Sequence, residues 1–239
     1  MSLPSTNYRD AVQVFFNAQE EGSYITETLA TTKNKSESAS LDFVSSLAQV
    51  AIKGLQQDIQ DKNVSPTDLQ AMTSAVKNYL NKISPEEKTN KLFSDLFTKI
   101  EADIKQLAEP LKMARDSAKA DGALTSRNIQ KFGIKRQSDL IEIAKLAANQ
   151  NPEGTSYHIQ NYGIKDQHAL IEIATLVANQ DGGAISQYIE NYGIRNEEAR
   201  IEIAKKAAKQ NPEETLLYLK NYDIKDPVAL EEITKLATR

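Results

Sequence analysis

The chain of 239 residues has no Cys and no Trp, and only two His, nine Gly and seven Pro. Without Cys it can hold no disulfide framework, zinc ribbon, thiol nucleophile or iron–sulfur centre. His158 and His168 are too few for a multi-histidine metal site. The shortage of Gly and Pro argues against a loop-heavy β protein. No apolar run approaches the roughly 20 residues that span a bilayer. The start, MSLPSTNYRD, has no basic region followed by an apolar stretch, so no ordinary secretory signal is expected. Phosphate-binding Gly-rich loops, paired acidic metal motifs and nucleophile motifs are all missing, so neither an enzyme nor a cofactor is expected. Nor is there an excess of one charge. Residues 1–128 carry 15 Lys/Arg against 17 Asp/Glu and residues 129–239 carry 14 against 16, so each part is −2 and the chain −4. That balance gives no footprint for a nucleic acid.

What is present in abundance is Ala, Glu, Lys, Leu, Ile and Gln, a helix-forming set. The chain also repeats itself. Ile129-Gln-Lys-Phe-Gly-Ile-Lys135 recurs as Ile159–Lys165, Ile189–Arg195 and Leu219–Lys225, 30 residues apart each time. Residues 129–158 and 159–188 match at 16 of 30 positions. A fixed period of this size implies stacked supersecondary units.

Each unit reads as two helices. On the longer one, Leu170, Ile173, Ala174 and Val177 fall on one face, and Asp166, Asn196 and Asp226 stand as N-caps. The shorter one begins at Asn151-Pro152 or Asn211-Pro212 and runs to about Tyr162 or Tyr222. Gly133, Gly163 and Gly193 then sit where a left-handed C-cap wants Gly, while Asp223 predicts a looser cap in the last unit. Ile141, Ile171 and Ile201 give way to Glu231, and Ala144, Ala174 and Ala204 to Thr234. Polar residues on that face predict a C-terminal cap at the end of the array. Upstream, residues 98–120 stand where a preceding long helix belongs, with Pro110 predicting either a kink or a break.

The N-terminal part shows helical periodicity without the repeat. Helices are expected over Tyr8–Leu29, Asp42–Lys62 and Gln70–Ile83, and after a Ser84-Pro85-Glu86-Glu87 start signal. A polar loop is expected over Ala30–Ala39. The fold expectation is therefore all-α: a helical bundle over residues 1–100, then a right-handed α-solenoid of about four 30-residue helical hairpins over 101–239.

Several columns recur at the repeat spacing. Glu142, Glu172, Glu202 and Glu232 suit either an acidic strip for a basic partner or pairing with cations of the neighbouring repeat. Lys135, Lys165, Arg195 and Lys225 complement the short-helix dipole. Gln150, Gln180 and Gln210 are placed to bond free carbonyls at the tight turn. Tyr162, Tyr192 and Tyr222 follow His158, Tyr188 and Tyr218 by one turn, with Asn161, Asn191 and Asn221 beside them and Lys131 and Phe132 opening the series. One reading makes this column a groove in which Asn amides hold a peptide backbone and Tyr rings pack its side chains. The other makes Tyr a core residue with its hydroxyl at the rim, and Asn a bond within the scaffold. Lys131, Asn161, Tyr162, Asn191, Tyr192, Asn221 and Tyr222 are the candidate partner-binding residues.

The helix–turn–helix unit with its Asn-Pro-Glu start resembles the tetratricopeptide and HEAT-type α-solenoid superfamily. The period is shorter than the tetratricopeptide value of about 34 residues, and the Trp-containing pattern is absent, so the likeness is to the architecture. The NYGIKDQHALIEIA-type array is also similar to repeat proteins of host-associated intracellular bacteria. The resemblance covers about residues 120–239 and implies protein binding, including to a host protein after export. On this footing the chain is expected to be a noncatalytic protein- or peptide-binding scaffold, a bacterial effector or regulator. It would be cytoplasmic, or exported to a host cell without a signal peptide. The alternative is an enzyme or small-molecule sensor with a pocket between bundle and solenoid.

Overall fold

The computed structural model describes residues 50–59, 64–83 and 87–238. The helix expected at Tyr8–Leu29, the loop at Ala30–Ala39, the outer parts of Asp42–Lys62 and the Ser84-Pro85-Glu86 cap lie outside these. The described residues are all-α, about 11 packed helices with no strand among them. The chain divides into two compact units between Glu109 and Pro110.

In the first unit, residues 50–59 are helical (α1), followed by α2 (Pro66–Ile83) and α3 (Glu87–Ala120). Ser65 starts α2: its Oγ accepts from the N–H groups of Thr67 at 3.1 Å and Asp68 at 3.2 Å, with Pro66 in the first turn. Leu55, Leu69, Val76, Phe97 and Ile100, spaced for one face on each helix, are buried in a single cluster. Lys77 pairs with Glu101 at 2.9 Å beside it. α3 runs unbroken through Pro110, so neither of two shorter helices is formed. Pro110 has no N–H to return to the Gln106 carbonyl, and the division between the compact units falls at this weakened turn.

In the second unit, the end of α3 supplies Leu111, Ala114 and Ala118 to the core. There follow α4 (Gly122–Asn128), α5 (Gln137–Gln150), α6 (Pro152–His158), α7 (Gln167–Gln180), α8 (Gly182–Tyr188), α9 (Glu197–Gln210), α10 (Pro212–Leu217) and α11 (Pro227–Ala237). Each short helix tightens into a four-residue 3₁₀ turn, such as Ile159–Tyr162 after α6.

One residue makes the sharp corner from each long helix to the next short one. The backbone N–H groups of Asn151 and Asp181 donate to Ala147 O at 2.8 Å and Val177 O at 2.7 Å, closing α5 and α7. Their side chains accept from Gly154 N at 2.7 Å and Ala184 N at 2.9 Å, opening α6 and α8. The other corner uses the left-handed conformation, with φ of 66°, 59° and 59° at Gly133, Gly163 and Gly193. Asp223 adopts the same conformation at φ 49° and donates its N–H to Lys220 O at 3.1 Å as the glycines do in their units. Arg200, standing where Leu140, Leu170 and Leu230 stand in other units, braces it. Its guanidinium donates to Asp223 O at 3.1 Å and Ile194 O at 2.9 Å. Asp166 and Asn196 cap the following helices, whereas Arg136 replaces the cap on α5 and pairs with buried Asp139.

These two corners fix the packing order. Each long helix lies on the next long helix and each short helix on the next short one. Ile143, Ile173, Ile203 and Ile233 line the core, with Ala144, Ala174 and Ala204 fully buried beside the first three. Glu231 and Thr234 are exposed at the corresponding positions of α11.

Candidate interaction face

The recurring columns mark how one unit joins the next. Tyr162, Tyr192 and Tyr222 lie in the core, each at most 2% exposed. Their hydroxyls meet Ser126, Ser156 and Ser186 of the preceding unit, each at 2.9 Å. Ser126 Oγ donates to Gly122 O at 2.7 Å, which leaves Tyr162 as the donor in its pair. Burial raises the phenol pKa of all three, to about 12 for Tyr162, against the smaller opposing effect of the serine hydrogen bond. The hydroxyls therefore point into the scaffold and not to the rim.

The asparagines do the same work on the backbone. Asn161 Nδ2 donates to Ser126 O at 3.2 Å, Asn191 Nδ2 to Tyr157 O at 3.2 Å, and Asn221 Nδ2 to Gln187 O at 3.1 Å. All three side chains are half-buried. Lys131 is exposed, in the Asn column, and Phe132 beside it packs half-buried against the core. The structure thus brings the Asn and Tyr candidates together as seams between units and leaves Lys131 on the surface.

The other columns are seams too. Glu142 receives Arg115 at 2.6 Å, Glu172 receives Lys145 at 2.7 Å and Glu232 receives Lys205 at 2.9 Å. Thr175 occupies the cation position facing Glu202, which is met instead by Lys205 of its own helix at 3.5 Å. The end-of-helix glutamines bond across the corner. Gln150 and Gln210 accept from Gly122 N at 2.6 Å and Gly182 N at 2.5 Å, and Gln210 also donates to Gln180 O at 2.9 Å. Gln180 faces Pro152, which has no N–H, and turns to Asn149 at 2.8 Å. Backbone N–H groups of Lys165 and Arg195 donate to Gln137 and Gln167, each at 3.0 Å.

Sequence reasoning passed over the serine partners. Their signal is in the sequence: Ser126, Ser156 and Ser186 each stand 36 residues before a Tyr, and the column ends in Leu216. Phe132, the one ring without a hydroxyl, likewise has Leu96 and no Ser at that distance.

What the seams leave free is an aromatic row on the short helices, exposed at Tyr157 and half-buried at Tyr188 and Tyr218. Tyr157 is 58% exposed and contacts two rings edge-on, His158 at 4.6 Å and Tyr188 at 5.4 Å. Tyr218 stands 30 residues on from Tyr188, at the same position of the next unit, and Leu217 beside it in sequence is 67% exposed. Slight burial and then nearby Glu153 raise the Tyr188 pKa, while burial and then Arg127 lower that of His158. His168 lies apart on α7, 80% exposed and 3.5 Å from Glu172. No group of carboxylates and imidazoles among the described residues is arranged to hold a metal ion, and no helix among them is long and apolar enough to cross a membrane. No protein-family model, curated protein or solved structure matches the chain.

Proposed function

We propose that the chain is a noncatalytic scaffold: an N-terminal helical bundle followed by a right-handed α-solenoid of about four helical hairpins that binds a protein or peptide. Its setting would be that of a bacterial effector or regulator, acting in the cytoplasm or after export to a host cell. The observation that carries this reading is the division of labour within each unit. Tyr, Asn, Glu and Gln columns are consumed in seams that hold the units in register. Tyr157 and Tyr188 are in ring contact and Tyr218 follows at the Tyr188 position of the next unit, none of them with such a duty. Exposed Tyr is a low-entropy contact residue, apolar in body and polar at its tip. In this reading the Asn–Tyr column builds the face from beneath, and Lys131 stays exposed at its α4 end.

The test is site-specific photocrosslinking. A photoreactive residue replacing Tyr157 should capture a defined partner or peptide, while one replacing His168 on the long-helix layer should not. Equal capture from both positions, or none from position 157, would remove the proposal.

A further inference from the structure

The face has a chemical bias that narrows its partner. Resting on the scaffold reading, we infer that the aromatic row takes an extended segment carrying Lys or Arg side chains. Tyr157 stands nearly perpendicular to both neighbours, at 86° to His158 and 82° to Tyr188. Rings set at right angles, one well exposed, offer both π face and edge to a ligand, and a π face attracts a cation. Glu153, exposed on α6, adds to burial in raising the Tyr188 phenol pKa, and no ion pair among the described residues holds its carboxylate.

The charge along the short-helix layer agrees. From α6 to the turn after α10 it carries Glu153, Glu190, Glu213 and Glu214 against Lys220, all exposed, a net −3 with His158 neutral. Burial and Arg127 both favour that neutral form of His158. An acidic segment, a phosphate backbone or an anionic lipid surface would meet repulsion over this stretch, whereas an ammonium or guanidinium group meets carboxylates and aromatic faces together. Arg127 and Lys131 reverse the sign at the α4 end, so the basic side chains belong over α6 to α10.

A displayed library of random 12-residue peptides, panned on the full chain and counter-selected on the Tyr157→Ala/Tyr188→Ala chain, tests this. The expected result is enrichment of Lys and Arg among peptides that need the two rings. A synthetic peptide from that pool should then bind Tyr157→Leu and Glu153→Gln chains roughly 3- to 10-fold more weakly, Leu keeping apolar bulk without a π face. Unchanged circular dichroism melting of these surface variants separates lost binding from lost folding. Face-dependent peptides without basic residues, or full binding to Tyr157→Leu, would overturn the inference and leave the scaffold reading standing. A pool in which no peptide depends on the two rings would overturn both.

Discussion

The Tyr192–Ser156 pair allows the sharpest test of the seams. Both side chains are buried and their oxygens are 2.9 Å apart. Tyr192→Phe leaves a serine hydroxyl in the core with its partner removed, and Ser156→Ala does the same to the phenol. A buried hydroxyl without a partner costs about 1–3 kcal/mol, whereas deleting both partners is close to neutral. Each single variant should therefore lose about 2 kcal/mol, and the double variant less than either. The array would tolerate this because Phe132 already fills the same position in the first unit without a hydroxyl. Urea unfolding of the full chain, followed by circular dichroism, gives the four corners of the cycle. A loss near 2 kcal/mol corresponds to roughly 4–8 °C in melting temperature for a chain of this size. Additive losses in the double variant, or a Tyr192→Phe chain as stable as the parent, would refute the pairing.

The same burial gives an alkaline limit. The three tyrosines have folded pKa values raised above the ordinary 10.0, so their neutral forms stabilise the fold. That contribution is complete below the unfolded value and is lost as pH rises through the folded ones, Tyr162 being the first at about 12. The tyrosinate absorbance of Tyr162, Tyr192 and Tyr222, read by difference against their Phe variants, should appear only with loss of helix; its appearance before unfolding would contradict this. Gly182→Ala should destabilise by more than 1 kcal/mol, since a Cβ there would stand 2.4 Å from the Ala207 carbonyl oxygen on the backbone. Denaturation of that variant with a midpoint equal to the parent's would mean the helices have room to separate. Gly163→Ala should cost about 1–2 kcal/mol from the left-handed backbone alone, because open space surrounds the site, and a neutral outcome in the same assay would count against that backbone conformation.

Helices, corners and period are determined by the sequence itself, because their causes are local. Leu170, Ile173, Ala174 and Val177 define one face within two turns, and all four are buried. Asn151 and Asp181 cap through contacts three residues away, and a positive φ is a property of the single residue Gly163. The acidic column is legible for a related reason, since one of its two readings needs only the neighbouring repeat's cation, and Lys145 supplies it.

Tertiary structure decides where an ambivalent side chain goes. A Tyr one turn from another Tyr has the same local signal as its neighbour, yet Tyr192 is buried and Tyr188 is not. The difference lies 36 residues upstream, in a serine hydroxyl that makes burial of one phenol affordable. Packing likewise sets Arg200 across the left-handed turn at Asp223. It sends equivalent glutamines to different partners according to whether a Gly N–H or a Pro ring faces them. Each of these outcomes depends on a group brought close only by packing, so the period announces the helical pair and the packed structure decides which of its side chains are buried.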